Sequence, residues 1–165
     1  MKLPAHKILY LFIFITILSC TSNDAQESFE RQAFSQAEGI TQTDNNSNVV
    51  GEPDEDDWRT SPFYSAIANV EPAFPNPILY GTTATIDIDM RGNSLTSLLE
   101  LGYFDFQDRW TQLDLREDIS EFSTTPLTIN SQIFGTNASL ARGFYRVVVF
   151  DGNQRVITYG DIEIE

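Results

Sequence analysis

The sequence predicts an all-β protein built as an antiparallel sandwich of about seven strands. Three observations predict it. Ala84, Ile86, Ile88 and Met90 alternate with Thr83, Thr85, Asp87 and Asp89, which is the period of a half-buried strand. Further apolar runs follow through residues 98–164, separated by turn-forming residues. No long helical period appears anywhere in the chain. Many short strands in a domain of 108 residues (58–165) point to two packed sheets.

The elements follow in order. Tyr64–Glu71 adds an edge strand at the start of the domain, and Thr82–Met90 is the alternating strand just described. Leu98–Gln107 is apolar on both faces, so it belongs in the middle of a sheet. Arg109–Glu117 sets Thr111, Leu113 and Leu115 against Gln112 and Asp114. Leu127–Phe134 begins after Pro126, at a strand start where proline is tolerated. Phe144–Phe150, with the sequence FYRVVVF, is the strongest strand. Asp151-Gly152-Asn153 is a tight-turn signal, and Arg155–Tyr159 returns as the hairpin partner. Ile162 and Ile164 continue that strand or open a last one. Asp161, Glu163 and Glu165 then face water and guard a sheet edge.

Before the domain lie two segments of different character. Lys2, His6 and Lys7 precede an unbroken apolar run, Ile8–Leu18. That run is shorter than the ~20 residues a membrane-spanning helix needs. A basic start, an apolar stretch and a small residue, Ser19, describe a secretory signal over residues 1–19. Residues 20–57 read as a disordered, acidic tether. Residues 21–57 hold ten acids and one arginine, a net charge of −9, with few apolar side chains to offset ordering entropy. Ala25–Ala37 could form a short helix through Phe29 and Ala33, although an isolated helix of that length is marginal in water. As a flexible chain the tether would reach about 30–37 Å.

Two resemblances follow from these residues. Ile17-Leu18-Ser19-Cys20 resembles a bacterial lipobox. The resemblance implies that Cys20 becomes the first residue and carries acyl chains, each buried methylene contributing about 0.8 kcal/mol. A lone cysteine in an exported chain has no disulfide partner, which fits that use. Phe74-Pro75-Asn76-Pro77, Leu101 to Arg109 (LGYFDFQDR) and Ala141 to Arg146 (ARGFYR) resemble, in order, three patches of the C-terminal sorting domains of type IX secretion cargo. That resemblance implies an immunoglobulin-like sandwich, a sorting-like role and an outer-membrane setting. Asp108 stands where the family turn has glycine, and the tail Asp-Ile-Glu-Ile-Glu is acidic where the sorting signal commonly ends in lysine.

Charge and composition exclude several chemistries. Beyond residue 19 there are 24 acids against eight arginines, a net charge of −16, with no lysine and no histidine. Histidine-based triads, histidine metal ligands and lysine Schiff bases are therefore unavailable to the domain. The negative charge repels nucleic acid.

Candidate sites are few. Trp58, Tyr64 and Trp110 could stack on a sugar or anchor a protein partner. Asp105, Asp108, Asp114 and Asp118 flank the strand pair around Trp110 and could line a cation or sugar site. Asp87 and Asp89 share a strand face about 7 Å apart, a pair otherwise read as an ordinary wet sheet face. Asp44, Asn46, Asn48 and Glu55 fall at calcium-loop positions, but Val49 replaces the required glycine and Pro53 interrupts. Calcium is the one cofactor weighed. Tyr145 fits the packed corner tyrosine of a sandwich. The sequence thus leads to a non-catalytic, lipid-anchored protein of the cell envelope. Its sandwich binds or scaffolds a protein partner in a membrane assembly, with a glycan or calcium module as the alternative.

Overall fold

A computed structural model describes residues 21–91 and 96–165, with side chains from Asp24 onward; Cys20 and the apolar run before it lie outside the described residues. Seven strands follow one another: β1 (Ala68–Val70), β2 (Thr83–Met90), β3 (Leu98–Phe104), β4 (Trp110–Glu117), β5 (Thr124–Asn130), β6 (Gly143–Asp151) and β7 (Val156–Ile164). They form two sheets, ordered β1-β2-β5 and β4-β3-β6-β7, with every ladder antiparallel. This is the antiparallel sandwich of seven strands expected from the sequence, with the fourth strand on the sheet of strands three, six and seven.

The alternating residues meet between the sheets. Ile86, Ile88, Leu127 and Ile129 from the first sheet join Leu99, Leu101, Val147, Val149 and Ile162 from the second in one buried cluster. Full burial of each large aliphatic side chain contributes about 1.5–3 kcal/mol. Tyr145 donates its hydroxyl to Ala141 O at 2.9 Å, closing the corner before β6. The open side of the sandwich is stitched by β4. Asp114 Oδ2 accepts from Thr128 N at 2.7 Å, and Arg116 Nε donates to Pro126 O at 3.1 Å. Pro126 therefore faces β4 rather than β2, so its missing N–H removes no ladder bond.

Two expectations are corrected. The edge of β7 is not left to acidic side chains. Trp58 N and Ser61 N donate to Tyr159 O and Ile157 O, both at 2.8 Å, and Ile78 N and Tyr80 N reach Glu163 O and Glu165 O. Asp161, expected in water, is buried.

Nor does the acidic segment hang free. Its first part is a helix, Thr21–Ala33, whose Phe29 and Ala33 pack against Val148, Val156 and Tyr159 on the outer face of the four-stranded sheet. Its second part is held by carboxylates and amides rather than by apolar burial. Glu38 N donates to Asp161 Oδ2 at 2.8 Å, and Thr41 N and Asp161 N donate to the two oxygens of Asp57 at 2.7 and 2.8 Å. Asn76, fully buried, donates to Thr41 O and Asp161 O and accepts from Glu163 N. A segment poor in apolar residues is ordered because these bonds satisfy its backbone from residues far along the chain.

Candidate functional site

One end of the four-stranded sheet opens into a groove, and a turn creates it. After Phe104 the chain reverses around Asp105, whose Oδ1 accepts from Gln107 N at 2.8 Å and from Arg109 N at 3.0 Å. Asp105 Oδ2 meets Arg109 Nε and Nη2 at 2.8 and 2.7 Å. The Arg109 hydrogen bonds hold the Asp105 carboxyl below the usual carboxylate range. Asp108 sits at φ +56°, a left-handed conformation that glycine adopts more easily.

This turn ends β3 early. The β3–β6 ladder stops at Tyr103–Val147, while the β6–β7 ladder runs on to Gly143–Ile164. The gap is a groove of about 900 Å³ between the β3–β4 turn, the start of β6 and the chain that leaves the N-terminal helix. Its walls carry Phe34, Phe104, Phe106, Leu140 and Phe144. All five are exposed, Phe106 at 92% and Phe144 at 55%.

Neighbouring rings hold some of these in place. Trp110 lies across Gly102, where a methyl group would strike the indole, and its Nε1 donates to Glu100 Oε1 at 2.7 Å. Phe104 packs on Trp110 with centroids 5.0 Å apart, and Phe34 sits 5.7 Å from Phe104 and 6.2 Å from Phe150. At the groove floor Arg146 is spent. Its Nε and Nη2 bind Asp161 at 2.7 and 2.8 Å, Nη1 donates to Gln32 O and Ser35 Oγ, and its guanidinium lies 5.0 Å over the Tyr159 ring. It fastens one groove wall to the sheet and has no donor aimed at a ligand.

The residues singled out in the sequence separate cleanly. Asp105 and Asp108 line the groove, and Trp110 braces Phe104 beside it. Trp58 and Tyr64 are core residues that no partner can touch. Trp58 is packed against Gly160, and Tyr64 donates to Asp151 Oδ2 at 2.5 Å. Burial pushes the Tyr64 hydroxyl pKa up. Asp114 and Asp118 stand away from the groove, Asp114 being used in the stitch to β5.

The carboxylates proposed for calcium serve their own loops. Asp44 Oδ1 accepts from Asn46 N and Asn48 N at 2.8 and 2.9 Å, and Oδ2 from Asn48 Nδ2 at 2.9 Å, an arrangement that lowers the Asp44 pKa. Among the described residues no group of three or more acidic, cysteine or histidine side chains is placed to hold a metal ion. Asp87 and Asp89 lie along β2, where burial and then the charge of Asp89 push the Asp87 carboxyl up, and Asp89 accepts from Thr124 Oγ1 at 2.5 Å.

Sequence reasoning missed the five groove side chains. A signal was present: Phe104 and Phe106 alternate across a turn, and Phe144 and Tyr145 put rings on both faces of a strand end. No family model matches this chain, and no curated protein matches it. Among the described residues no helix is long and apolar enough to cross a membrane.

Such an arrangement suits adhesion to apolar side chains. It offers exposed phenyl rings, each square ångström of apolar surface covered being worth about 25 cal/mol, with two carboxylates at one side.

Proposed function

We propose that this chain is a lipid-anchored protein of the bacterial cell envelope, held at the outer membrane through Cys20, and that its sandwich is a non-catalytic module that binds a protein partner. The aromatic groove is the observation that carries the binding role. Monomeric proteins rarely expose contiguous apolar patches without a use for them, and aromatic side chains in pockets dominate binding energies.

The docked helix supports a definite presentation of the groove. Gln26, near the helix start, accepts from Phe63 N, beside the hairpin end marked by Arg155 over the Phe63 ring. Phe34, just past the helix end, lines the groove. Thirteen helical residues span about 20 Å. The helix start at Thr21 lies at the end of the sandwich opposite the groove, so an anchor just ahead of it would turn the groove away from the bilayer.

Two measurements test this reading. The intact mass of the chain extracted from native membranes should show a protein beginning at an acylated Cys20; an unmodified Cys20 removes the anchor. A photo-crosslinking phenylalanine analogue at position 106 should capture a partner in intact cells, while the same group at Leu79, exposed elsewhere, should not. Equal capture at both positions removes the groove from the binding role.

A further inference from the structure

We infer that the groove receives an extended segment of a partner protein, which adds as a strand to the flank of β6 that β3 abandons. The inference rests on the groove being a binding surface and names what fills it. Among the described residues Gly143–Tyr145 make no backbone hydrogen bond to any element other than β7. Backbone groups of an antiparallel strand point alternately to its two sides. Gly143 and Tyr145 face β7, so Phe144 presents its N–H and C=O groups into the groove, on the side away from β7. An extended peptide satisfies them, and alternate side chains of that peptide then face the phenyl rings of Phe104, Phe106 and Phe144.

Shape and charge select a free segment over a second copy of the chain. The open flank covers Gly143–Tyr145 and sits between the β3–β4 turn and the chain at Phe34–Ala37. A lone strand enters such a slot, whereas a strand already inside a sheet brings its neighbours against the walls. Two chains with 24 acids and eight arginines beyond residue 19 also repel each other. At the groove side Asp105 is neutralised by Arg109, while the Asp108 carboxylate has no hydrogen-bond or ionic partner among the described residues. The favoured segment thus alternates apolar residues and carries an arginine or lysine placed to meet Asp108.

The test begins with a phage-displayed library of random twelve-residue peptides panned on the full chain, followed by binding measurements on the enriched peptide in synthetic form. Enrichment of alternating apolar residues with one basic residue is expected. N-methylation of every second peptide amide should weaken binding at least tenfold, with little effect at the intervening amides. Exchange of the Phe144 amide should slow at least tenfold on binding. Phe144→Asp, at an exposed position, should weaken binding at least tenfold and Asp108→Asn about threefold, with unchanged circular dichroism.

Peptides that bind in the groove yet ignore N-methylation overturn strand addition while leaving the binding-module reading intact. No enrichment over the Phe144→Asp variant overturns the inference. So does a dimer in sedimentation that Phe144→Asp dissociates, or glycan-array binding lost in that variant. The N-methyl series alters only the peptide, so its outcome does not depend on how a protein variant folds.

Discussion

Asp57 joins the N-terminal segment to β7 through two backbone amides, Thr41 N and Asp161 N, and burial pushes its carboxyl up to about 7. The two amides pull the other way, and the charges of Asp161 and Asp54 add to the rise. An unfolded aspartate titrates near 3.9. Between about pH 4 and pH 7 the folded chain therefore binds this proton more tightly than the unfolded chain does. Its contribution to stability is greatest at the acid end of that window and declines as pH rises. Urea denaturation should show the wild type losing more stability from pH 4 to pH 7 than Asp57→Asn. At pH 4 the variant should be weaker by about 1–3 kcal/mol, because an amide cannot accept from both backbone donors. Parallel pH curves for the two proteins would refute the assignment. Nothing local to residues 54–57 announces this: the acidic run reads as a solvated linker until Thr41 and Asp161 are seen around it.

At the scale of elements, the N-terminal helix shows how tertiary contact overrides a weak local signal. The sequence places Phe29 and Ala33 on one face but surrounds them with polar residues, and so short a helix does not persist alone in water. Docking supplies what propensity does not: Phe29 lies 4.9 Å from the Tyr159 ring, and Gln32 Oε1 accepts from both Tyr159 Oη and Arg59 Nη2. Phe29→Ala should cost about 3–5 kcal/mol of docking. Hydrogen exchange should then accelerate in the helix while the amides of β3 and β6 keep their protection. Faster exchange throughout the sheet would mean that helix and sandwich unfold as one unit. The strands were far more legible, with misses at their ends. β3 stops at Phe104 because Asp105 caps the turn, and β5 stops at Asn130 because its side chain caps the next turn through Gln132 N at 3.0 Å. Side-chain caps override an apolar pattern that continues through both ends.

Over the whole molecule the excess of acid is the dominant long-range force. Eight arginines face 24 acids beyond residue 19, and Arg146 with Asp161 is the one ion pair among the described residues with both side chains buried. Self-repulsion of this kind destabilises the compact state and is screened by salt. Thermal unfolding should move up by several degrees from about 10 mM to about 1 M sodium chloride, as the screening length falls from about 30 Å to about 3 Å. A fall in melting temperature would mean that the favourable pairs outweigh the repulsion. Strand periodicity and charge balance were determined by the sequence alone, since both are sums over neighbours or over composition. Only the tertiary structure decided that Asp161 is buried while Phe106 stands in water. Asp161 is covered by residues more than a hundred positions away, and Phe106 is exposed because it stands in the turn that Asp105 closes, beyond the end of β3. Burial of a given side chain depends on which distant segments arrive over it, and local pattern carries no record of that.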